Sequence, residues 1–436
     1  MHGRVLKILM LSLFSLLKLF LTRGGDNMKN SHYVPRFILK KFSERLCIYN
    51  IKTKEFKENV KLEKAYAIKG FYDDVTEDNL NLKIESEFSK FLNDRILKCE
   101  STIELSRKEL RLIKKFLLIS IMRSVGTEDF MQKEKYFYES LGKIYARNGI
   151  DKNETEKERP FIEEKIHNET NREYWLRTIN VILDTDGSPE EILKHPLKTY
   201  PAHRWATIVN AGYLAFWDSE YDRDEYVITD IGMTSENEKG WNGVTRHNTK
   251  KHLFLMDLLK NETNEMLKEE IIKQLNFVIS FHENFEMFPI SAKRMIVLIA
   301  PFYKFRQTYK LFYSMPPLEY LTELVNEELY FPNDAKYVLP QTGVYPKHHP
   351  NDKYIYSIKR LTRSETRYCN ALFLDRINTT LGFSTLNKAV GSLLYYRRVN
   401  SYPYVPRVNY DGLYKLINEK YEGSLEIKMK GEHNNE

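Results

Sequence analysis

The chain has 436 residues, of which 42% are hydrophobic, 13% aromatic and 29% charged, a composition that folds rather than one that stays disordered. This length allows two domains of ordinary size or one core enlarged by insertions. The formal net charge of +7 comes from 67 cations and 60 anions spread along the whole chain, so the sequence is only mildly basic. A lysine-rich background explains that balance more simply than a nucleic-acid partner does.

The three cysteines, Cys47, Cys99 and Cys369, are far apart in the sequence and form no Cys-x-x-Cys pair. They cannot build a zinc ribbon. A sparse, odd set of cysteines in a long chain is typical of reduced, buried thiols rather than of a secreted disulfide framework. We therefore expect a reducing compartment, the cytoplasm.

Residues 5–22 form an apolar segment that superficially resembles an export signal. Lys18 interrupts the segment, its uncharged run is short for a membrane span, and no small-x-small cleavage site follows it. Two interpretations stay open. If translation begins at Met28, residues 1–27 are a false-start extension. Otherwise residues 5–22 are an uncleaved anchor, and only in that case is the membrane a partner.

The first half of the chain predicts a strand pair followed by helices. The segment 46–56 reads as two short strands around a polar turn, which indicates a hairpin. Apolar residues at helical spacing predict helices over 80–97 and 105–123. The polar segment 148–165, which contains Pro160, marks a linker or an exposed loop.

The second half of the chain alternates between helices and strands. Apolar residues at helical spacing predict helices over 174–183, 252–281 and 364–379. β-Branched and aromatic residues predict strands over 204–217, 226–229 and 295–300. Four prolines exclude a long helix from 332–353, which we expect to be a loop.

These elements predict an α+β fold, in which a mixed sheet is accompanied by a helical subdomain inserted after an N-terminal hairpin. The chain divides into five segments. They are an apolar leader or false-start extension (1–27), the signature segment and hairpin (28–79), a mainly helical subdomain (80–200), a sheet-containing core with a long helix and inserted loops (201–400), and a C-terminal helix with a frayed tail (401–436).

The segment SHYVPRFILKKF, residues 31–42, resembles the opening of the bacterial domain-of-unknown-function 4238 family, in which His-x-Val-Pro precedes an aromatic-rich segment. Further elements follow in the family's order, and they contain Phe71-Tyr72-Asp73, Glu85, Arg123, Asp230 and Phe288-Pro-Ile-Ser291. Asn370 stands in the place of the asparagine that opens the family's last helix. The resemblance covers about residues 30–385 and implies a fold and candidate positions, but no reaction. Where the family has Asp-Asn-Pro, this chain has Asp230-Ile231-Gly232.

His32 is the first candidate for chemistry. Pro35 biases Val34 toward an extended conformation, which fixes the imidazole on a rigid lead-in. A fixed histidine can act as a general base, a metal ligand or a cation that contacts phosphate. The alternative is a histidine that bonds to the backbone across the fold.

Asp230 ends an apolar strand, where an open sheet presents a carboxylate at its edge. There it can hold a divalent cation or orient His32. The alternative is an aspartate that caps the following turn, and Gly232 supports that interpretation.

Glu85, Arg123 and Asn370 complete the candidate set. Glu85 and Glu87 cannot share one helix face, so at most one of them points inward. A buried glutamate near Arg123 is most simply a structural ion pair. If the candidates converge, with Mg²⁺ or Mn²⁺ bound by His32 and Asp230, they supply the ingredients of phosphodiester hydrolysis.

Two basic aromatic stretches combine cations with stacking surfaces, a mixture that suits single-stranded nucleic acid. The first contains Lys304 and Arg306, and the second contains Arg397 and Arg398. Arg36, within the signature segment, is a further candidate for contact with phosphates. In a chain with 29 tyrosines and 24 phenylalanines such stretches also arise by chance.

The sequence contains no P-loop, no dinucleotide-binding turn, no His-Glu-x-x-His pair and no Gly-x-Ser-x-Gly elbow. We therefore predict a cytoplasmic effector that acts on DNA or RNA as a metal-dependent nuclease, and the accessory character of the family suggests phage defence or a toxin module. The alternative is a non-catalytic nucleic-acid- or protein-binding module whose signature residues serve structure. A cleft open to solvent at His32 and Asp230 favours the effector, and a dry contact favours the binding module.

Overall fold

A computed structural model of the chain describes residues 30–124, 169–236, 261–268, 285–299, 353–399 and 408–421. The predicted α+β class is confirmed, because helices accompany sheets with both antiparallel and parallel strand pairs. The strands are β1 (Asn30–His32), β2 (Arg45–Asn50), β3 (Glu55–Lys61), β4 (Ala67–Lys69), β5 (Thr102–Ser106), β6 (Tyr213–Ser219), β7 (Ile228–Thr229), β8 (Thr234–Glu236), β9 (Phe285–Pro289), β10 (Arg294–Ile299), β11 (Lys353–Leu361) and β12 (Thr380–Phe383). The α-helices are α1 (Arg36–Leu39), α2 (Asp74–Leu80), α3 (Ser86–Phe91), α4 (Arg107–Met122), α5 (Asn171–Asp184), α6 (Pro189–Lys194), α7 (Tyr200–Ala211), α8 (Arg363–Asp375), α9 (Leu386–Val399) and α10 (Asp411–Lys420).

The signature segment begins with β1, which pairs antiparallel with β4. The extended residue Pro35 then leads into α1. The hairpin predicted over 46–56 is confirmed as β2 and β3. Its turn is held by Oδ1 of Asn50, which accepts hydrogen bonds from the backbone N–H groups of Lys52 (2.9 Å) and Thr53 (3.0 Å), as asparagine commonly does in turns.

The helices that follow the hairpin form the predicted helical region. Between α2 and α3 lies a π-helical turn, Asn81–Glu85, and a second one, Leu92–Ile96, follows α3. α4 begins at a capping box formed by Ser106, which satisfies backbone N–H groups of its first turn. Phe88 and Phe116 stack with 3.8 Å between their ring centroids, so α3 and α4 contact each other through these two rings.

Two larger sheets form the core. The first has four antiparallel strands in the order β3-β2-β12-β7. The second has six strands in the order β5-β11-β6-β10-β9-β8. In it β11 runs parallel to β6, and the other pairs are antiparallel. The strand predicted over 295–300 is β10, and the side chains of Met295, Ile296 and Val297 are fully buried, as its apolar run indicates.

The strand predicted over 204–217 is wrong in its first half, which belongs to α7. Thr199 caps this helix, since its Oγ1 accepts a hydrogen bond from the N–H of Ala202 (3.3 Å) and its carbonyl oxygen accepts one from His203 (3.1 Å). Pro201 stands in the first turn, where its missing N–H has no helical partner to lose. These start signals outweigh the β-branched residues that follow, and only the second half forms a strand, β6.

The long helix predicted over 252–281 is also wrong where the structure describes it, because residues 262–264 are not helical. The Glu262 side chain accepts hydrogen bonds from the N–H groups of Thr263 and Asn264, each at 2.9 Å. Oδ1 of Asn264 then accepts one from Met266 at 3.0 Å and starts a new turn. The rest of this segment, the polar segment 148–165 and residues 332–352 of the predicted loop lie outside the described residues.

The C-terminal helices close one side of the sheets. The helix predicted over 364–379 is α8, which ends at Asp375. Two further helices follow, and the sequence prediction missed the first of them, α9. The hydroxyl of Tyr410 donates to the carbonyl oxygen of Leu374 (2.7 Å), and that of Tyr414 donates to Leu393 (3.0 Å). These bonds join α10 to α8 and α9.

None of the helices in the described ranges combines the length and the apolarity that crossing a membrane requires. Residues 5–22 and Met28, on which the predictions of an anchor and of a false start rest, lie outside those ranges.

Candidate functional site

His32 lies at the end of β1, and the fold leaves its side chain 9% exposed. Its Nε2 lies 3.3 Å from the carbonyl oxygen of Leu62, so the neutral ring donates a hydrogen bond to the backbone across the fold. Burial lowers the pKa of the imidazole below its ordinary value, and the cations Arg36 and Arg123 act in the same direction. His32 is therefore a neutral, buried ring at neutral pH.

Arg123 follows the last residue of α4 and is 1% exposed. Its guanidinium forms an ion pair with Glu85 and donates hydrogen bonds to the carbonyl oxygen of His32 and to the hydroxyl of Tyr72. Burial alone would lower the pKa of Arg123, but the charge of Glu85 raises it above its usual value. Glu85 points inward while Glu87 is exposed, which confirms that only one of the two faces the interior.

Asp230 directly follows β7 and is fully buried. Its carboxylate accepts hydrogen bonds from the N–H of Asn378 (3.0 Å), from the N–H and O–H of Thr379 (2.7 and 2.5 Å) and from the N–H of Thr380 (3.3 Å). Burial raises the pKa of the Asp230 carboxyl, and these hydrogen bonds act in the opposite direction. Gly232, with a φ of 73°, ends the turn that follows. The carboxylate thus fixes the loop that leads into β12.

Asn370 lies in the middle of α8, within the helix predicted over 364–379. Thr362 forms a capping box at the start of this helix, so Asn370 does not open it as the corresponding asparagine of the family does. Oδ1 of Asn370 accepts a hydrogen bond from the N–H of Val227 (3.1 Å), and Nδ2 donates to the carbonyl oxygen of Glu225 (2.7 Å) and to Oγ of Ser392 (2.8 Å). Asn370 therefore ties the residues before β7 to α8 and α9.

The structure joins three of the candidates, His32, Glu85 and Arg123, in one buried cluster. Asp230 belongs to a second cluster, and Asn370 to a third. The signature itself divides the first two, because neighbouring residues of an extended chain point in opposite directions. His32 faces Leu62, whereas the side chain of Tyr33 bonds to that of Thr380, next to Asp230. Nε2 of His32, the Arg123 guanidinium, the Asp230 carboxylate and the Asn370 side-chain amide all bond to the protein itself.

A divalent cation at His32 and Asp230 requires oxygen or nitrogen lone pairs that are free to bind it. The Asp230 carboxylate already accepts four hydrogen bonds, and those donors would have to leave before a cation could enter. Within the described residues, no group of three or more His, Cys, Asp and Glu side chains is arranged to hold an ion. The donor set therefore does not fit Mg²⁺ or Mn²⁺, and the metal site stays a prediction.

The residues predicted to contact nucleic acid lie on the surface. The side chain of Arg36 is 45% exposed and pairs with Glu63 at 2.7 Å. Arg397 and Arg398 are exposed at the end of α9. Lys304 and Arg306 lie outside the described residues.

Sequence reasoning missed two residues of these clusters, Tyr72 and Thr379. The hydroxyl of Tyr72 donates to the carbonyl oxygen of Arg123 at 3.1 Å. Tyr72 stands in the Phe-Tyr-Asp segment that carries part of the resemblance, so a signal for it was present. Thr379 gave no such signal, since its partner Asp230 is 149 positions away.

Comparison with known protein families identifies the family of the chain. The sequence profile of a family described as "Protein of unknown function (DUF4238)" matches residues 30–376, which is well over half of the chain. No curated protein and no solved structure matches it. The match includes β1, the buried cluster at Arg123, Asp230 and Asn370. The chain therefore belongs to the DUF4238 family of proteins of unknown function.

Proposed function

We propose that this chain is a non-catalytic nucleic-acid-binding protein whose signature residues hold the fold together. The observation that carries the proposal is the burial of the candidate catalytic residues. Arg123, Asp230 and Asn370 are at most 1% exposed, and the protein itself occupies their polar atoms. Acid–base or nucleophilic chemistry needs groups that reach a substrate. Residues that contact only the protein interior instead stabilise the fold that carries a binding surface.

The surface that suits nucleic acid is formed by the hairpin β2–β3, the end of α9 and α10, and we name it the hairpin–helix face. Lys420 of α10 pairs with Glu58 of β3. A Cβ atom placed on Gly412 would lie 3.5 Å from Cβ of Lys54, so the hairpin turn touches α10. The exposed cations of this face include Lys52, Lys54, Arg397, Arg398, Lys415 and Lys420, and its acidic residues include Glu58, Asp411 and Glu419.

The acidic residues of this face neutralise its cations only weakly. Lys415 pairs with Glu419 at 3.9 Å, and Lys420 pairs with Glu58. The side chains of both lysines are at least 41% exposed, and such surface pairs contribute about 0–1 kcal/mol each. A phosphate group can therefore compete for these cations.

Cations cover the aromatic rings of the same face. The guanidinium carbon of Arg397 lies 5.1 Å from the ring centroid of Tyr414, and that of Arg398 lies 5.4 Å from Tyr395. Nζ of Lys420 lies 5.7 Å from the ring centroid of Phe56. The face presents charge rather than bare rings, so it suits phosphates and offers little of the base stacking that single strands use. The basis for the predicted preference for single strands is thereby weakened.

The proposal is tested by fluorescence anisotropy of the full chain with labelled single- and double-stranded DNA and RNA of equal length, between 50 and 200 mM salt. We expect saturable binding whose logarithmic salt slope is about −3 to −5, as for about four phosphate contacts. The double variant Arg397→Ala/Lys420→Ala should reduce that slope by about 2. Lys83→Ala, a paired lysine in the π-helical turn after α2, is the matched control and should bind like the parent.

Two outcomes would overturn the proposal. One is the absence of binding at 50 mM salt, and the other is an Arg397→Ala/Lys420→Ala variant that binds like the parent. The proposal includes a cytoplasmic location, which the free thiols of Cys47, Cys99 and Cys369 support. A metal-dependent nuclease in phage defence or a toxin module remains the rival proposal, and it requires cleavage of the bound nucleic acid.

A further inference from the structure

The helix α10 lies along the hairpin β2–β3 on one of its sides. A Cβ atom placed on Gly412 would lie 2.8 Å from the hydroxyl of Tyr49 and 3.5 Å from Cβ of Lys54. Lys420, about two turns further along α10, pairs with Glu58 of β3. The chain rises about 12 Å between the two helix positions and about 13 Å between the two hairpin positions. The helix and the hairpin therefore run side by side.

The opposite side of α10 contacts the end of α9. The guanidinium carbon of Arg397 lies 5.1 Å from the ring centroid of Tyr414, and the hydroxyl of Tyr414 donates to the carbonyl oxygen of Leu393. At 3.6 residues per turn, Tyr414 lies about 200° around α10 from Gly412. The cations of the hairpin and those at the end of α9 therefore flank α10 from opposite sides.

Between these two flanks, α10 presents an outer face of different composition. Leu413, Tyr414 and Ile417 are buried, and the exposed residues of the outer face recur at helical spacing. They are Asp411, Lys415, Asn418 and Glu419. The outer face thus contains two carboxylates and one amide but a single cation, whereas the flanks are rich in lysine and arginine.

This distribution of charge matches the major groove of B-form DNA. A helix with its side chains is about 10–12 Å across, and the groove is about 12 Å wide and lies between two phosphate strands. Cations on both flanks of such a helix meet phosphates on both edges of the groove. The outer face then meets base edges, which offer hydrogen-bond donors as well as acceptors. Lysine pairs with guanine there, asparagine with adenine, and a carboxylate with the amino group of cytosine.

We propose that α10 enters the major groove of double-stranded DNA and that Lys415, Asn418 and Glu419 contact base edges. This inference rests on the proposed function and assigns B-form DNA as the nucleic acid. The major groove of duplex RNA is deep and too narrow for side chains to read, so the outer face reaches no bases there. A single strand has no pair of groove edges for the two flanks to contact.

The test is fluorescence anisotropy of the full chain with three duplexes of one sequence and length. They are DNA, RNA, and DNA whose cytosines carry a glucosylated hydroxymethyl group at C5, which fills the major groove with neutral bulk. We expect the unmodified DNA to bind at least about tenfold more tightly than either of the others, because even one base contact is worth about that ratio.

The double variant Lys415→Ala/Asn418→Ala should lose the preference for DNA over RNA. The matched control is Asn81→Ala/Lys83→Ala, which removes the same two residue types from exposed positions of the π-helical turn after α2. The control should keep the parent's preference. Circular dichroism establishes that both variants fold, and the glucosylated duplex tests the parent chain without any substitution.

Two results would overturn the inference while nucleic acid still binds, and they leave the proposed function intact. One is RNA or glucosylated DNA that binds within about threefold of the unmodified DNA. The other is a folded Lys415→Ala/Asn418→Ala variant that keeps the parent's preference. The absence of binding to all three duplexes is a different result, because it refutes the proposed function and the inference with it.

Discussion

Replacement of Arg123 by methionine removes the charge at the centre of the buried cluster and keeps a long side chain. The change leaves Glu85, whose side chain is 19% exposed, without its cation. It also deprives the carbonyl oxygen of His32 of its donor. Removal of one partner of a buried ion pair costs about 3–5 kcal/mol. Because Glu85 keeps some contact with water, we expect a loss at the lower end, about 3 kcal/mol.

The loss is measured as the free energy of unfolding in urea, followed by tryptophan fluorescence. Trp175 reports on the cluster, because its Nε1 donates to the carbonyl oxygen of Met122 at 2.7 Å and its ring lies 5.5 Å from that of Tyr72. Adding Glu85→Leu to Arg123→Met removes the unpaired carboxylate and should recover at least about 1 kcal/mol.

Glu87→Leu, at an exposed position of α3 two residues after Glu85, is the matched control and should change stability by no more than about 0.5 kcal/mol. Two results would refute the reasoning. One is an Arg123→Met variant that unfolds within about 0.5 kcal/mol of the parent. The other is a double variant whose loss equals the sum of the two single losses.

Two further predictions concern the signature histidine and the buried aspartate. Folding lowers the pKa of His32, so its contribution to stability is present above its unfolded pKa of about 6.5 and is lost as the pH falls through its lower folded value. The thermal midpoint should therefore drop more between pH 7.5 and pH 5 for the parent than for His32→Gln, and equal drops would contradict this. Asp230→Asn replaces one of the two oxygens that accept the four hydrogen bonds by an N–H₂ group, which then faces other donors. The free energy of unfolding in urea should therefore fall by about 2–3 kcal/mol. Asp222→Asn, at a fully exposed side chain, is its control, and an Asp230→Asn variant as stable as that control would show that the bonds contribute nothing.

Elements that depend on local signals could be predicted from the sequence. The hairpin β2–β3 follows from two strand-forming segments around a polar turn, and β10 follows from an uninterrupted apolar run. α7 shows the limit of propensity, because its β-branched residues indicated a strand while the cap at Thr199 and Pro201 started a helix. A rule that weighs caps before side-chain propensity would have found it.

The candidate site could be predicted only in part. The resemblance indicated His32, Glu85, Arg123, Asp230 and Asn370 as positions, but not that they belong to three separate clusters. That division arises from contacts between residues far apart in the chain, such as Asp230 with Thr379. The second basic aromatic stretch likewise indicated Arg397 as a candidate for contact with nucleic acid. It did not indicate that the Arg397 guanidinium lies over the ring of Tyr414, since that contact depends on how α9 and α10 pack.

The central claim is that the signature residues stabilise a protein that binds nucleic acid without cleaving it. The most direct measurement incubates the full chain with labelled single- and double-stranded DNA and RNA in the presence of Mg²⁺ or Mn²⁺, and reads binding and strand length in the same samples. The account predicts salt-sensitive binding with every strand intact. Metal-dependent cleavage that is lost in a folded Asp230→Asn or His32→Ala variant would contradict it and would assign those residues to chemistry.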